Sequence, residues 1–178
     1  MQRTRLNAMD CPIARSLDRV GEWWSILILR DALGNMTRFE EFQKSLAIAP
    51  NMLTRRLNVL VEAGFLERRR YSDHPPRHEY ALTDRGRDFR PVVIALLAFG
   101  NRHFAPEGAS VIIVETKSGA PADPVLVDRS TGCPLVSPEF ELVAGPAASE
   151  ATKARMAARA ARLAQGRSQL RSTGEVAS

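Results

Sequence analysis

The chain is poor in the residues that staple small folds or ligate metals. Two cysteines in 178 residues, Cys11 and Cys133, cannot build a disulfide framework, and a four-Cys metal site is excluded outright. Such usage suits a reducing compartment. His78 and His103 have no companion Cys or carboxylate cluster, so they read as structural or solvated, and no metal or cofactor is expected. Long hydrophobic runs are also missing: Ile26 to Leu29 and Val92 to Phe99 fall far short of the ~20 residues that span a bilayer. No basic-then-apolar leader opens the sequence, and the expectation is a soluble, cytoplasmic protein with no membrane partner. A Ser/His/Asp grouping, a glycine-rich phosphate loop and paired carboxylates in an apolar setting are absent as well. Catalysis therefore has no visible residues, and an enzyme is not expected.

What is present is an uneven distribution of charge. Residues 1–104 hold 17 Lys and Arg against 12 Asp and Glu, a net +5, whereas residues 105–178 hold 8 of each. The whole positive excess lies in the first part, and its length allows one ordinary domain followed by an appendage. The expected organisation is a domain over residues 1–104, a small extended or β-ribbon appendage over 105–148, and a helical to disordered tail over 149–178.

Along the first part the apolar spacing predicts helices. Ile13, Leu17 and Val20 mark a short one, with Asp10 as its cap before Pro12. Glu22 to Leu33 is apolar nearly all round, includes Trp23 and Trp24, and stops at Gly34-Asn35, which predicts the central buried helix. Thr37 with Glu40 three residues on forms a capping box for a helix whose inward face is Phe39, Phe42 and Leu46. Ala47 to Pro50 then turns the chain. In the helix over Asn51 to Glu62, a rotation of ~100° per residue sends Leu53, Leu57, Leu60 and Val61 inward. The same rotation sends Asn51, Met52, Arg55, Asn58 and Val59 outward, with Thr54 and Arg56 on the flanks.

Gly64 stops that helix, and two strands follow. Phe65 to Tyr71 has Leu66, Arg68 and Arg70 on one side, and His78 to Thr83 has Tyr80 and Leu82 on its apolar face. Ser72 to Arg77, with two prolines, is expected to form an unpaired tip. A final helix from Asp84 to about Phe104 is capped by Thr83 and expected to kink at Pro91. Its apolar residues Val92, Val93, Leu96, Leu97, Phe99, Gly100 and Phe104, with Ile13 and Leu17, exceed what one chain can cover and predict a homodimer seam. The appendage contains a near-repeat, VETKSGAP at Val114 to Pro121 and VDRSTGCP at Val127 to Pro134, which predicts a small ribbon. Beyond it a helix is expected near Ser149 to Leu163, with disorder from Gly166.

Helix-turn-helix plus ribbon is a winged helix, mainly α with a small β-wing, and arginines on both parts point to duplex DNA. Phosphate contacts are expected from Thr37, Arg38, Arg68, Arg69, Arg70, His74 and Arg77, and base contacts from Asn51, Met52, Arg55, Arg56 and Asn58, with Thr54 a further DNA-binding residue on the flank. Because a strand alternates, at least one of the three consecutive arginines should pair with Glu67 or Asp73 instead. The competing reading is a winged helix used only for protein contact; it predicts an apolar or acidic outward face on the second helix, which this sequence lacks.

The ordered succession CPIARSLDRVGEWWSILILRDALGN, TRFEEF, APNMLTRRLNVLVEAGFLERR and YSDHPPRHEYALTDRGRDFRPVV resembles the HxlR-type winged-helix transcriptional regulators of the MarR-like superfamily. The resemblance runs from Cys11 to about His103. It implies a homodimer that binds double-stranded DNA to repress or activate neighbouring genes in response to a small molecule or a redox signal. The helix opening at Asn51 matches the family's recognition helix, and the final helix matches its dimerisation helix. Phe99 stands where a Trp is common, and the tail lies outside the family pattern. Some relatives sense oxidants through a Cys in the region of Cys11; the alternative, which we prefer, is a small side chain packed at the dimer interface.

Overall fold

The computed structural model describes Leu6, residues 9–136 and residues 139–174, with side chains as far as residue 166. Two compact units emerge, one over Ser16–Pro134 and one joining the chain up to Arg15 with the chain from Leu135.

The element order is α1 (Pro12–Val20), α2 (Trp23–Leu33), α3 (Phe39–Leu46), α4 (Pro50–Glu62), β1 (Leu66–Asp73), β2 (Pro76–Leu82), α5 (Asp84–Asp88), α6 (Arg90–His103) and α7 (Glu150–Gly174). The core of the larger unit is built by Ile28 and Leu29 of α2, Phe42 of α3 and Leu53, Leu57 and Leu60 of α4, all fully buried, with Leu66 and Tyr80 closing it from the sheet. Burial of this spacing on three helices is what the i, i+3, i+4 pattern of the sequence requires. One buried acid strengthens the frame: Asp31 accepts the Ser45 hydroxyl at 2.7 Å and the Arg30 Nε at 2.8 Å, joining α2 to α3.

Several boundaries differ from the sequence expectation. The cap of α3 is shifted by one residue: the Glu41 carboxylate, not Glu40, accepts the backbone N–H of both Thr37 and Arg38 at 2.9 Å. Those two bonds hold the Glu41 carboxyl below its ordinary range. The wing is longer than expected, because β1 and β2 pair antiparallel as far as Asp73↔Pro76, leaving His74-Pro75 alone at the tip. One proline, Pro76, at the last paired position leaves the inner ladder intact, so the strands close further out than a rule excluding proline from sheets would allow. The kinked helix is instead two helices. α5 ends at Asp88, and Pro91 opens α6 in its first turn, where its missing N–H costs nothing.

The junction between α4 and α5 is tightly closed. Thr83 caps α5 by accepting the Gly86 N–H at 3.1 Å and donates its hydroxyl to the Gly64 carbonyl at 2.6 Å. Arg85 donates to the Ala63 carbonyl at 2.6 Å, satisfying the end of α4. Gly86 is required here, since a Cβ would lie 2.2 Å from the Phe65 carbonyl oxygen.

Beyond α6 the near-repeat forms two separate turns, not one ribbon. Val114 bridges Pro121 and Val127 bridges Pro134, each closing on its own Gly turn. In the smaller unit, α7 continues through Gly166 to Gly174, where disorder was expected. Asp10 serves α7 and not α1: its carboxylate accepts the Ser149 N–H at 2.9 Å, and hydrogen bonds from Ser149 and Thr152 lower its pKa to about 2.

Candidate nucleic-acid interface

α3 and α4 are set by the turn between them. Ala47 adopts the left-handed conformation at φ 49°, Ile48 is buried, and Pro50 starts α4 with a φ already suited to a helix. With Leu53, Leu57 and Leu60 inward, Asn51, Thr54, Arg55 and Asn58 are exposed on the opposite side. Asn51 turns its side-chain carbonyl to the Met52 N–H at 2.7 Å, and the Thr54 hydroxyl donates to the Pro50 carbonyl at 2.9 Å. Arg55 is exposed and has no acidic partner among the described residues.

Met52 and Arg56 are placed differently from the other predicted base readers. Met52 is half-buried and packs against the core. The Arg56 side chain, 15% exposed, pairs with Glu22 at 3.1 Å, just before α2. An arginine on the flank of a recognition helix can turn to either side, and the sequence alone offered no sign that Glu22 would lie within reach.

The wing bears out the alternation argument. Leu66, Arg68 and Arg70 face Leu82, Tyr80 and His78 across the ladder, and a bulge at Tyr71 then shifts the register. Two of the three consecutive arginines are paired on the wing itself, Arg69 with Glu67 and Arg70 with Asp73 at 2.9 Å. Arg68, Arg77 and His74 are exposed, and none of them has an ion pair among the described residues. Arg38 joins α3 to the wing: its backbone bridges Glu79, Tyr80 donates its N–H to the Thr37 carbonyl at 2.7 Å, and its guanidinium lies 5.1 Å from the centre of the Tyr71 ring. That stacking holds the cation on the wing beside the start of α3. Thr37 is half-buried, and both of its backbone groups are engaged within the fold, the N–H by Glu41 and the carbonyl by Tyr80.

The predicted seam residues divide into two sets. Ile13, Leu17, Val92, Leu96, Phe99 and Phe104 are exposed, whereas Val93 and Leu97 are half-buried and line a cavity beside α2. Gly100 is half-buried with open space at its Cβ position. No residue of α6 is buried. Trp23, expected in the core, is 72% exposed, while its neighbour Trp24 packs against the core, its ring perpendicular to that of Trp23. Cys11 is a half-buried free thiol and Cys133 an exposed one. Among the described residues no helix is long and apolar enough to cross a membrane, and no group of three His, Cys, Asp or Glu could hold a metal.

A recognition helix on a three-helix frame, with a two-stranded wing tied to it through Arg38, is the geometry of winged-helix DNA readers. The HxlR-like helix-turn-helix family model matches residues 19–108. The chain belongs to this family. Among HxlR-like relatives, the uncharacterised HTH-type transcriptional regulator Rv3095 of Mycobacterium tuberculosis is 38% identical over 121 residues, 67% of this chain and 77% of its own length. The structure of PA1374, a candidate transcription factor of Pseudomonas aeruginosa, is 56% identical and superposes with a TM-score of 0.60 over 82% of this chain and 99% of that one. That of PA1607, another candidate transcription factor, is 38% identical with a TM-score of 0.69 over 78% and 98%. With 82% and 78% of this chain covered, both likenesses extend past residue 108. The chain is a DNA-binding transcriptional regulator with a winged helix-turn-helix fold.

Proposed function

We propose that this regulator acts as a homodimer on a pseudo-palindromic operator, with α4 of each copy in a major groove. The observation that carries the reading is the division of α4: Leu53, Leu57 and Leu60 are buried, and Asn51, Thr54, Arg55 and Asn58 form a polar, exposed opposite face. Arg55 suits guanine and Asn58 adenine, and Thr54 suits a thymine methyl. Arg68, Arg77 and His74 on the wing, with Arg38, supply phosphate contacts. Met52 and Arg56 support α4 from behind.

Dimerisation through α6 is supported by its lack of any buried residue in a single chain and by exposed Val92, Leu96, Phe99 and Phe104. Fourteen residues of helix with that face uncovered are unfavourable in water unless a second copy meets them. The signal that changes occupancy is a small molecule or oxidation at Cys11. Titrating a random duplex against salt tests the DNA reading itself: log affinity falls linearly with log salt if phosphates supply it, and a flat response contradicts it. Comparing Cys11→Ser with the native chain before and after diamide tests the redox branch; identical operator affinities exclude it.

A further inference from the structure

Two cavities meet at one arginine. The first, about 200 Å³, lies between α2 and α6 and has apolar walls from Leu33, Val93, Ile94, Leu97 and Ile113. The second, about 440 Å³, lies between the end of α2 and the base of the wing, with Met36 and Leu82 among its walls and Arg69 and Arg87 at its edge. Leu33 and Arg90 belong to both, and no acidic residue lines either. The larger of the two falls within the ~300–1,000 Å³ of small-molecule sites.

The arginines around them are not equivalent. Arg30 pairs with Asp31 at 2.7 Å, Arg87 with Asp84 at 2.6 Å and Arg69 with Glu67. Arg90 is exposed, lines both cavities and has no ion pair among the described residues. A single free guanidinium matches one carboxylate bidentately; a phosphate, with more charge to neutralise, would need further free donors.

We propose that this pair of cavities is a binding site for an organic carboxylate with an apolar body, its carboxylate on Arg90 and its body between α2 and α6. Ile113 lies beyond the residues matched by the family model, and it closes the apolar chamber. Its segment is held on α6 by the Asn101 amide donating to the Val111 carbonyl at 2.8 Å and by Arg102 facing Asp123 at 3.7 Å. The start of the appendage therefore forms part of the site. The walls also include Thr37, two residues before α3, and Tyr80 of the wing, whose backbone groups are bonded to each other. A bound molecule touches the elements that set the wing and the helix proposed for dimerisation. That regulatory consequence rests on the reading that a small molecule controls DNA occupancy.

The test is calorimetric titration of the full chain with octanoate and with 1-octanol. Octanoate should bind about tenfold or more tightly than octanol, in keeping with a charge-assisted contact. Arg90→Ala, at an exposed position, should reduce octanoate to the octanol level and leave ligand-free DNA affinity within about twofold. Ile113→Trp should block both ligands, with Val93→Trp as a second blocking variant should the first fail to fold. Equal binding of the two ligands, no binding of either, or unchanged octanoate binding by Arg90→Ala overturns the site. Octanoate that binds through Arg90 without altering DNA affinity overturns its role as effector, and leaves the DNA reading untouched.

Discussion

Removing the charge from either end of the Glu22–Arg56 pair should have unequal consequences. The side chains are 40% and 15% exposed and 3.1 Å apart, between the surface and buried regimes. At an effective dielectric near 20 their bare attraction is ~5 kcal/mol, from which desolvation and side-chain ordering subtract most, leaving a coupling of ~1–2 kcal/mol. Glu22→Gln leaves a largely buried guanidinium without its counter-charge and should cost ~1–3 kcal/mol. Arg56→Met keeps the aliphatic stem and also removes a buried Nε that has no hydrogen-bond partner, so its cost should be ~1 kcal/mol or less. The double variant should lie close to Arg56→Met. Urea unfolding of the four proteins measures the cycle, and operator and random-duplex affinities measured beside it report the second role. Additivity within ~0.3–0.5 kcal/mol would refute the coupling. A changed base preference in Arg56→Met at unchanged stability would return Arg56 to the readers.

Ala47→Gly should stabilise the chain by ~0.5–1 kcal/mol in urea unfolding, because a left-handed backbone at φ 49° carries a Cβ penalty there. Gly86→Ala should destabilise by ~2 kcal/mol or more, because its Cβ would sit 2.2 Å from the Phe65 oxygen and 2.7 Å from a Leu82 methyl; a neutral result would mean that α5 shifts freely. The Asp10 carboxyl, with its pKa lowered from 3.8 to about 2, contributes stability that is fully present above about pH 4 and lost as pH falls toward about 2. A carbon NMR titration of Asp10 with a midpoint near the ordinary value would contradict its bonds to Ser149 and Thr152.

Periodicity found the helices because it reports burial, and burial on α2, α3 and α4 follows apolar spacing directly. It found the inward Leu53, Leu57 and Leu60 and the outward Asn51, Arg55 and Asn58 for the same reason. Flank positions were harder. Arg56 turns to Glu22, a residue 34 positions away, and spacing along one helix contains no information about such a partner. Arg69 and Arg70 were easier, since their acids are two and three residues distant. Trp23 illustrates the limit of hydropathy: a helix that is apolar all round does not say which side is covered by its own chain, and Trp23 lies on the uncovered one. Val93 and Leu97 show the reverse, apolar residues of α6 that line a cavity within the chain. The break at Phe89 is not legible in the sequence, because Pro91 in a helical stretch fits a kink within one helix as well as the first turn of a new one.

Selection of bound sites from a random duplex pool, followed by affinity measurements with Arg55→Ala, tests most directly that α4 reads operator sequence as one of a symmetric pair. The expected motif is pseudo-palindromic, with half-site centres one turn of ~10 bp, or two, apart. Arg55→Ala should then lose ~1–3 kcal/mol on that motif with little change on random duplex. A motif without two-fold symmetry would contradict the paired reader, and equal losses on selected and random duplex would contradict the assignment of α4.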